Sequence, residues 1–277
     1  MGNRLTGVTE TPALDAQVLL ADILGVSRTW LLTHADASLN PEQEQALQNA
    51  LLRLEQGEAL PYVTGHWEFY GLDYSINSNV LIPRPETELL VERSLHWLST
   101  HPGRRRAADI GTGSGCIAIS LAINIPDLHV WASDVSLPAL EIAKLNAHKH
   151  DVSDWVHFLH ADLFDLEPLA TALQPFDLIA ANLPYIPTAR LKDLDVARRE
   201  PRLALDGGAD GLDLIQRLIQ AAPPWLAPGG LCILEIDIEH AEAALALAQG
   251  IFPKANVSII PDLAGLDRLI SIQLPSE

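Results

Sequence analysis

Ala-Ala-Asp-Ile-Gly-Thr-Gly-Ser-Gly, residues 107–115, is the stretch of sequence that decides the fold. The apolar run 107–110 predicts a strand, and a helical pattern over 116–123 follows directly after the glycines. Glycine permits a positive φ and lets a ligand lie against bare backbone. In open α/β sheets, ligands bind at the carboxyl ends of the strands. The stretch therefore predicts a strand, a ligand-binding turn and a helix.

Strands and helices alternate on the carboxyl side of this turn. Alternation over about 170 residues indicates a mostly parallel sheet with helices on both faces, so we predict an α/β fold. The further strand patterns are 130–133, 156–160, 178–181 and 231–236, with a closing pair at 257–260 and 269–274. The helical patterns are 137–148, 213–222 and 239–249.

Residues 1–60 show helical patterns only. A helix is predicted at 11–25, ending at Gly25, and a second at 40–57, where Asn40 caps and Pro41 takes the first helical position. Short helices cannot bury their apolar faces alone, so we predict a small helical bundle. The predicted inward faces are Leu14, Val18, Ala21 and Leu24 in the first helix, and Leu47, Leu51 and Leu54 in the second.

The segment between these two regions has a third pattern. Aromatic and β-branched residues in 63–82 are interrupted by Gly71 and Asn77, which predicts a β-hairpin. After Pro85, residues 86–98 predict a helix whose acidic first turn suits the helix dipole.

Charge and composition narrow the class of protein. The chain has 277 residues, 48% of them hydrophobic, and a formal net charge of −18. Such a surface repels phosphate backbones, so stable nucleic-acid binding is not expected. Cys116 and Cys232 are too few and too far apart for a zinc site or a disulfide framework, and we expect buried thiols and no metal. We see no signal peptide and no membrane span, and expect a cytoplasmic protein.

The glycine turn favours one kind of nucleoside cofactor. A dinucleotide site requires a third glycine three residues after the second, and Cys116 stands there. Asp134 follows the second strand and is placed to accept both ribose hydroxyls. Asp162 follows the third strand and is placed for an adenine amino group, with Leu163 against the ring. We therefore expect S-adenosyl-L-methionine to be bound by Gly111, Thr112, Gly113, Ser114, Gly115, Asp134, Asp162, Leu163 and Asn182.

The fourth strand runs into Asn182-Leu183-Pro184-Tyr185, which indicates the chemistry. A planar –NH2 nitrogen is a poor nucleophile because its lone pair is delocalised. Two fixed acceptors, the Asn182 side-chain oxygen and the Leu183 carbonyl, can bind both N–H groups and aim the lone pair at the methyl group. Pro184 stiffens the turn and Tyr185 can stack on the flat target. We predict catalysis by orientation at these four residues, and the target is either an amide or an adenine amine.

A second block of sequence carries a family resemblance. Residues 64–71, Thr-Gly-His-Trp-Glu-Phe-Tyr-Gly, and 80–88, Val-Leu-Ile-Pro-Arg-Pro-Glu-Thr-Glu, strongly resemble the release-factor glutamine methyltransferases of the HemK or PrmC family. So does 262–268, Asp-Leu-Ala-Gly-Leu-Asp-Arg. Asn182-Leu183-Pro184-Tyr185 is similar to the Asn-Pro-Pro-Tyr motif that methyltransferases of adenine amines and of glutamine amides share.

The resemblance implies a substrate and a domain plan. The target would be the glutamine of the Gly-Gly-Gln motif in peptide-chain release factors, methylated on its amide nitrogen. Residues 1–62 would dock the release factor, 63–83 would form the β-hairpin connector, and 84–277 would form a Rossmann-like methyltransferase domain with an antiparallel closing strand. Arg84 would join residues 182–185 in binding the substrate. The alternative is a methyltransferase of the exocyclic amine of adenine in DNA or RNA.

The chain departs from the family's pattern in two places. Leu183 replaces the first proline of the commoner motif, which retains the carbonyl but adds an N–H. Asp237 and His240 stand where the family usually has glycine and glutamine. We expect activity to survive both departures, and we expect His240 to be a helix-surface residue.

Overall fold

The computed structural model describes residues 2–34, 36–165 and 174–276, and contains two compact units. The first comprises Met1–His66 with Ile76–Ser78, and the second comprises Trp67–Ser75 with Asn79–Glu277. The domain boundaries predicted after residues 62 and 83 stay predictions.

The first unit is helical. Its second helix begins at Pro12, directly after Thr11. Gly25, which has a φ of +66°, caps its carboxyl end. At the start of its fourth helix, Asn40 and Gln43 each accept from the other's backbone N–H, which completes a capping box. Its helices are α1 (Gly2–Leu5), α2 (Pro12–Leu24), α3 (Arg28–Thr33), α4 (Pro41–Glu55) and α5 (Leu60–Thr64).

The core of this unit confirms one predicted face and corrects the other. In α4 the buried residues are Leu47, Leu51 and Leu54, as predicted. In α2 the prediction was wrong for Leu14, which is 39% exposed, and confirmed for Ala21, which is buried. The face that α2 packs against α4 carries Ala16 and Leu19 instead.

The second unit carries an α/β sheet and a hairpin, except for the hairpin's first residue, His66. The hairpin pairs β1 (His66–Phe69) with β2 (Leu72–Ser75). The strands of the sheet are β3 (Arg106–Ile110), β4 (His129–Asp134), β5 (Val156–His160), β6 (Phe176–Ala181), β7 (Leu226–Glu235), β8 (Asn256–Pro261) and β9 (Asp267–Gln273). The helices are α6 (Pro85–Thr100), α7 (Cys116–Asn124), α8 (Leu137–Lys149), α9 (Thr188–Leu191), α10 (Val196–Arg199), α11 (Asp213–Ala221) and α12 (Ala241–Ile251).

Within the described residues, seven strands form one sheet in the order β5-β4-β3-β6-β7-β9-β8. Neighbours from β5 to β7 are parallel, and β9 runs antiparallel to both β7 and β8. The mostly parallel sheet with an antiparallel closing strand is therefore confirmed. All six residues of β6 are buried, as expected for a central strand covered on both faces. Cys116 and Cys232 are free, buried thiols.

Candidate active site

The carboxyl ends of β3 and β6 meet at one edge of the sheet. The two strands are parallel neighbours, with Ile110 opposite Ala181. From β3 the chain continues to β4 and β5 on one side, whereas β6 and β7 lie on the other. Open α/β sheets bind ligands at such a reversal of strand order. The glycine turn after β3 and Asn182 after β6 are thereby brought together.

The backbone of the turn requires glycine. Gly111, Gly113 and Gly115 have φ values of +75°, +56° and +83°. A Cβ on Gly111 would lie 2.9 Å from Cδ2 of Leu183, whereas one on Gly113 would meet no atom within 4 Å. The turn therefore packs against the segment after β6 at one end and leaves open space for a ligand at Gly113.

Asp109, the penultimate residue of β3, ties the turn to α7. Its Oδ2 accepts from the Thr112 hydroxyl at 2.6 Å and from the Ala118 N–H at 3.1 Å. Asp109 is fully buried, and burial raises its pKa to about 7. Asn146 of α8 donates to the Ser114 carbonyl at 2.9 Å and holds the other end of the turn. The side chain of Thr112 thus stabilises the conformation of the turn.

Asp134, at the end of β4, faces the same turn. Its Oδ2 accepts from the Gly113 N–H at 2.9 Å, and its Oδ1 accepts from the Ser136 N–H at 2.8 Å. Burial raises the pKa of Asp134, although both backbone hydrogen bonds oppose this. A carboxylate has about four acceptor sites, so acceptors remain for a ligand.

Asp162 and Leu163 follow β5, beside Asp134. The Ala161 N–H donates to the Asp134 carbonyl at 3.1 Å, which places the two strand ends together. The Asp162 side chain is 50% exposed and pairs with Arg217 at 2.9 Å. Leu163 has a φ of +54° and packs on the core. The predicted cofactor residues therefore surround one edge of the sheet, and their individual roles stay predictions.

Asn182 is held by a chain of hydrogen bonds. Its Nδ2 donates to Thr87 Oγ1 at 2.9 Å, and the Thr87 hydroxyl donates to Glu235 Oε2 at 2.7 Å. The Tyr185 hydroxyl lies 3.4 Å from the other oxygen of Glu235. Glu235 is 1% exposed, and burial raises its pKa to about 7 while Thr87 and Arg268 oppose the shift.

Packing contacts and a backbone hydrogen bond also fix the position of the segment 182–185. Leu183 is buried beneath the glycine turn. A Cβ on Gly207 would lie 2.7 Å from Cα of Tyr185 and 2.8 Å from the Pro184 oxygen. The Ile186 N–H donates to the Leu205 carbonyl at 3.0 Å. The backbone of this segment is therefore fixed before any substrate binds.

A cavity of about 310 Å³ opens over these residues. Arg84 contributes to it and pairs with Glu200, whose other carboxylate oxygen accepts from the Ile82 N–H at 3.1 Å. Glu200 is buried and so fixes the segment that carries Arg84. The cavity is lined by Leu81, Arg84, Asn182, Leu183, Pro184, Tyr185, Ile186, Val196, Ala204 and Leu205.

Known proteins match the chain over almost its whole length. The model of the PrmC N-terminal domain matches residues 2–65, and that of the methyltransferase small domain matches residues 86–199. The release factor glutamine methyltransferase of Moorella thermoacetica is 42% identical over 263 residues, which cover 95% of this chain and 91% of that protein. The chain belongs to the release factor glutamine methyltransferase family. The corresponding enzyme of Neisseria gonorrhoeae is 40% identical, with 95% and 94% of the two chains covered.

A solved structure shows the same fold at greater distance. The N-terminal domain of human METTL16 in complex with SAH has a TM-score of 0.51 and 20% identity, with 85% of this chain and 84% of that chain covered. This likeness supports the fold alone. The predicted family, the α/β fold and the methyltransferase activity are confirmed by the comparisons together.

Three residues at the site of this methyltransferase had no predicted role. Thr87 lies in the stretch that carries the family resemblance, but no role was predicted for it. Glu235 lay within the predicted strand 231–236 without a predicted role, and Glu200 was not noted. The available signal was the carboxylate of Glu235 at the end of the apolar sequence of β7. Carboxylates are seldom buried without partners.

The position of His240 corrects another expectation. We expected a surface residue, but His240 is 7% exposed. Its Nε2 lies 3.0 Å from the Asp210 carbonyl, so this nitrogen is the donor. A short 3-10 turn, Ile238–His240, precedes α12 and turns the imidazole inward. Asp237 begins that turn by accepting from the Glu239 N–H at 2.9 Å.

Two kinds of feature are absent from the described residues. No group of three or more His, Cys, Asp and Glu residues among them is arranged to hold a metal ion. None of the helices they form is long and apolar enough to cross a membrane.

Proposed function

We propose that the enzyme methylates the side-chain amide nitrogen of the glutamine in the Gly-Gly-Gln motif of peptide-chain release factors. The position of Asn182 carries the proposal. Its Nδ2 is committed to Thr87, and no donor contacts its Oδ1 among the described residues. Asn182 therefore presents an acceptor at the cavity, which suits an amide N–H of the substrate. The names of the relatives supply the substrate class.

The cofactor is S-adenosyl-L-methionine, and the turn after β3 suits it. When bound, this cofactor supplies an electrophilic methyl group on a sulfonium sulfur. The bare backbone at Gly113 gives it room. Asp134 retains acceptors for the ribose hydroxyls, since its carboxylate has about four acceptor sites and the backbone N–H groups do not fill them all. We assign Asp162 and Leu163 to the adenine, with Asp162 using the oxygen that does not pair with Arg217.

The substrate amide meets two acceptors in this proposal. The Asn182 Oδ1 accepts one N–H, and the Leu183 carbonyl accepts the other. With both N–H groups held, the nitrogen lone pair is aimed at the methyl group. As the N–C bond formed, the sulfur–methyl bond would break to leave S-adenosylhomocysteine, and one N–H proton would be lost to solvent. Tyr185 stacks on the amide plane, and Arg84 lies at the cavity wall. Prearranged acceptors act without reorganisation during the reaction, so orientation supplies the rate enhancement.

Three segments of the chain have separate roles in this proposal. Residues 1–62 dock the release factor, 63–83 form the hairpin connector, and 84–277 bind the cofactor and carry out the transfer. A net charge of −18 disfavours stable binding to nucleic acid. Because release factors act in translation, we place the enzyme in the cytoplasm.

Methyl transfer to four substrates tests the proposal. The purified enzyme is incubated with labelled cofactor and an intact release factor, the same factor with the motif glutamine replaced by alanine, duplex DNA, or RNA. We expect label on the unmodified factor alone. Label on DNA or RNA, or equal label on the alanine variant, would overturn the substrate assignment.

A further inference from the structure

The hydroxyl of Thr87 links the acceptor residue of the active site to a buried carboxylate. Thr87 is 2% exposed and lies in the first turn of α6, whereas Asn182 follows β6 and Glu235 ends β7. The two hydrogen bonds measure 2.9 Å to Asn182 Nδ2 and 2.7 Å to Glu235 Oε2. Three separate elements thus converge on one hydroxyl group.

The number of protons available decides which group donates in each of these two hydrogen bonds. When Glu235 is ionised, its carboxylate only accepts hydrogen bonds, and a threonine hydroxyl has one proton. Because the Thr87 proton is directed to Glu235, its oxygen can only accept from Asn182. The neighbour that satisfies this oxygen is the –NH2 end of the Asn182 amide. The Asn182 oxygen is then left for the substrate.

An amide turned the other way would defeat the chemistry. If Asn182 were rotated by half a turn, it would present –NH2 to the substrate –NH2, and two donors cannot bind each other. Nothing in the shape of an amide distinguishes the two orientations, because oxygen and nitrogen are nearly equal in size. Only the hydrogen-bond partners of Asn182 select between them.

We propose that Thr87 and Glu235 are positioning residues that fix the orientation of the Asn182 amide and thereby present its oxygen to the substrate nitrogen. This inference rests on the proposed function, since it concerns the acceptor for that amide. Neither residue contacts the substrate in this account. Glu235 also contacts the Tyr185 hydroxyl, so one carboxylate holds both ends of the segment 182–185.

Three variants test the inference against a matched control. Thr87→Val removes the hydroxyl with little change in volume, and Thr87→Ser keeps it. Glu235→Gln adds an –NH2 group that can donate to Thr87 and so reverse the donor and acceptor roles in both hydrogen bonds. Ser94→Ala, the control, removes a hydroxyl from the same helix; Ser94 is fully buried, and its Oγ has no hydrogen-bond partner among the described residues.

The readouts are kcat, KM for the release factor, affinity for S-adenosylhomocysteine and Tm. For T87V we expect kcat to fall on the order of 10²-fold, as for a misplaced catalytic group, while both binding constants change little. T87S should recover most of the lost kcat, E235Q should lose kcat as T87V does, and S94A should retain the wild-type kcat.

The outcomes separate this inference from the proposed function. Wild-type enzyme that methylates no release factor contradicts the proposed function. Active wild-type enzyme with an equally active T87V contradicts the positioning role, and so does a T87S variant as slow as T87V. If T87V does not fold, the separate variants E235Q and T87S test the proposal instead. An E235Q variant that folds and keeps the wild-type kcat overturns the proposal.

Discussion

Leu183 Cδ2 lies 2.9 Å from the position that a Cβ on Gly111 would occupy. The turn assigned to the cofactor and the segment assigned to the substrate amide are therefore in direct contact. Leu183 stands where the family's commoner motif has proline, and its side chain fills the space over Gly111. This contact predicts that the two halves of the active site cannot be altered independently.

Gly111→Ala should reduce both stability and cofactor binding. The residue has a φ of +75°, and its new methyl group would collide with Leu183. We expect the free energy of unfolding to fall by about 1–3 kcal/mol, the cost of a strained backbone residue. Urea unfolding and titration with S-adenosylhomocysteine measure the two effects. Gly103→Ala is the control, since its Cβ would meet nothing within 4 Å. Equal behaviour of the two variants would contradict the contact.

Glu200→Ala should destabilise the segment that carries Arg84. Its removal leaves the Ile82 N–H without its partner and the Arg84 guanidinium without its carboxylate. We expect a loss of about 1–3 kcal/mol in the free energy of unfolding, together with a higher KM for the release factor. Asp195→Ala breaks an exposed ion pair with Arg198 and should cost no more than about 1 kcal/mol. A Glu200 variant as stable as the Asp195 variant would show that the pair does not support the segment.

Stability should fall as the pH rises from weakly acidic to neutral. Burial raises the pKa of Glu235 from 4.5 to about 7 and that of Asp109 from 3.8 to about 7. In this window the folded protein holds protons that the unfolded chain releases, so each group's contribution to stability is lost as the pH rises towards 7. The charged or titratable groups that influence Glu235 are Arg268, Tyr185 and Glu86.

Glu235→Gln isolates one of these two contributions. Raising the pH from about 5 to about 8 should lower the free energy of unfolding of the wild type by more than that of E235Q, with a difference on the order of 1–3 kcal/mol. Urea unfolding at the two pH values measures it. Parallel pH dependence of the two proteins would show that Glu235 does not titrate in this range.

Leu32→Ser should weaken docking of the release factor without slowing the chemistry. Leu32 lies in α3 of the helical unit and is 58% exposed, so its substitution should leave the fold intact. We expect KM for the intact release factor to rise while kcat is unchanged. Leu145→Ser, in α8 of the other unit, is the matched control because Leu145 is 51% exposed. Unchanged KM in L32S would argue against a docking surface at this residue.

The sequence predicted most elements because their patterns are local. The limits of β5 were predicted to the residue, and Asn40 marked the start of α4, since strand patterns and caps are read from adjacent residues. The exposed Leu14 shows the limit, because apolar residues occur on several faces of α2 and only tertiary packing selects the face with Ala16 and Leu19. The short helices α9 and α10 were not predicted, as four residues are too few for a periodic pattern.

The candidate site was predicted only in part for the same reason. The glycines, Asp134 and Asn182 follow strands, and the order of the strands brings such positions together. The bond from Thr87 to Glu235 joins residues 148 positions apart, and nothing in either segment indicates its partner. His240 was misplaced because its burial depends on the carbonyl of Asp210, which is also distant in sequence.

Tandem mass spectrometry of a release factor, incubated with the cofactor and either wild-type enzyme or Asn182→Ala, tests the central claim most directly. Loss of one prearranged hydrogen-bonding group should slow transfer about 10²–10³-fold. We predict one methyl group on the Gly-Gly-Gln glutamine with the wild type. We predict almost none with a folded N182A variant that still binds S-adenosylhomocysteine. Methylation elsewhere, or at the wild-type rate by N182A, would contradict the proposed function.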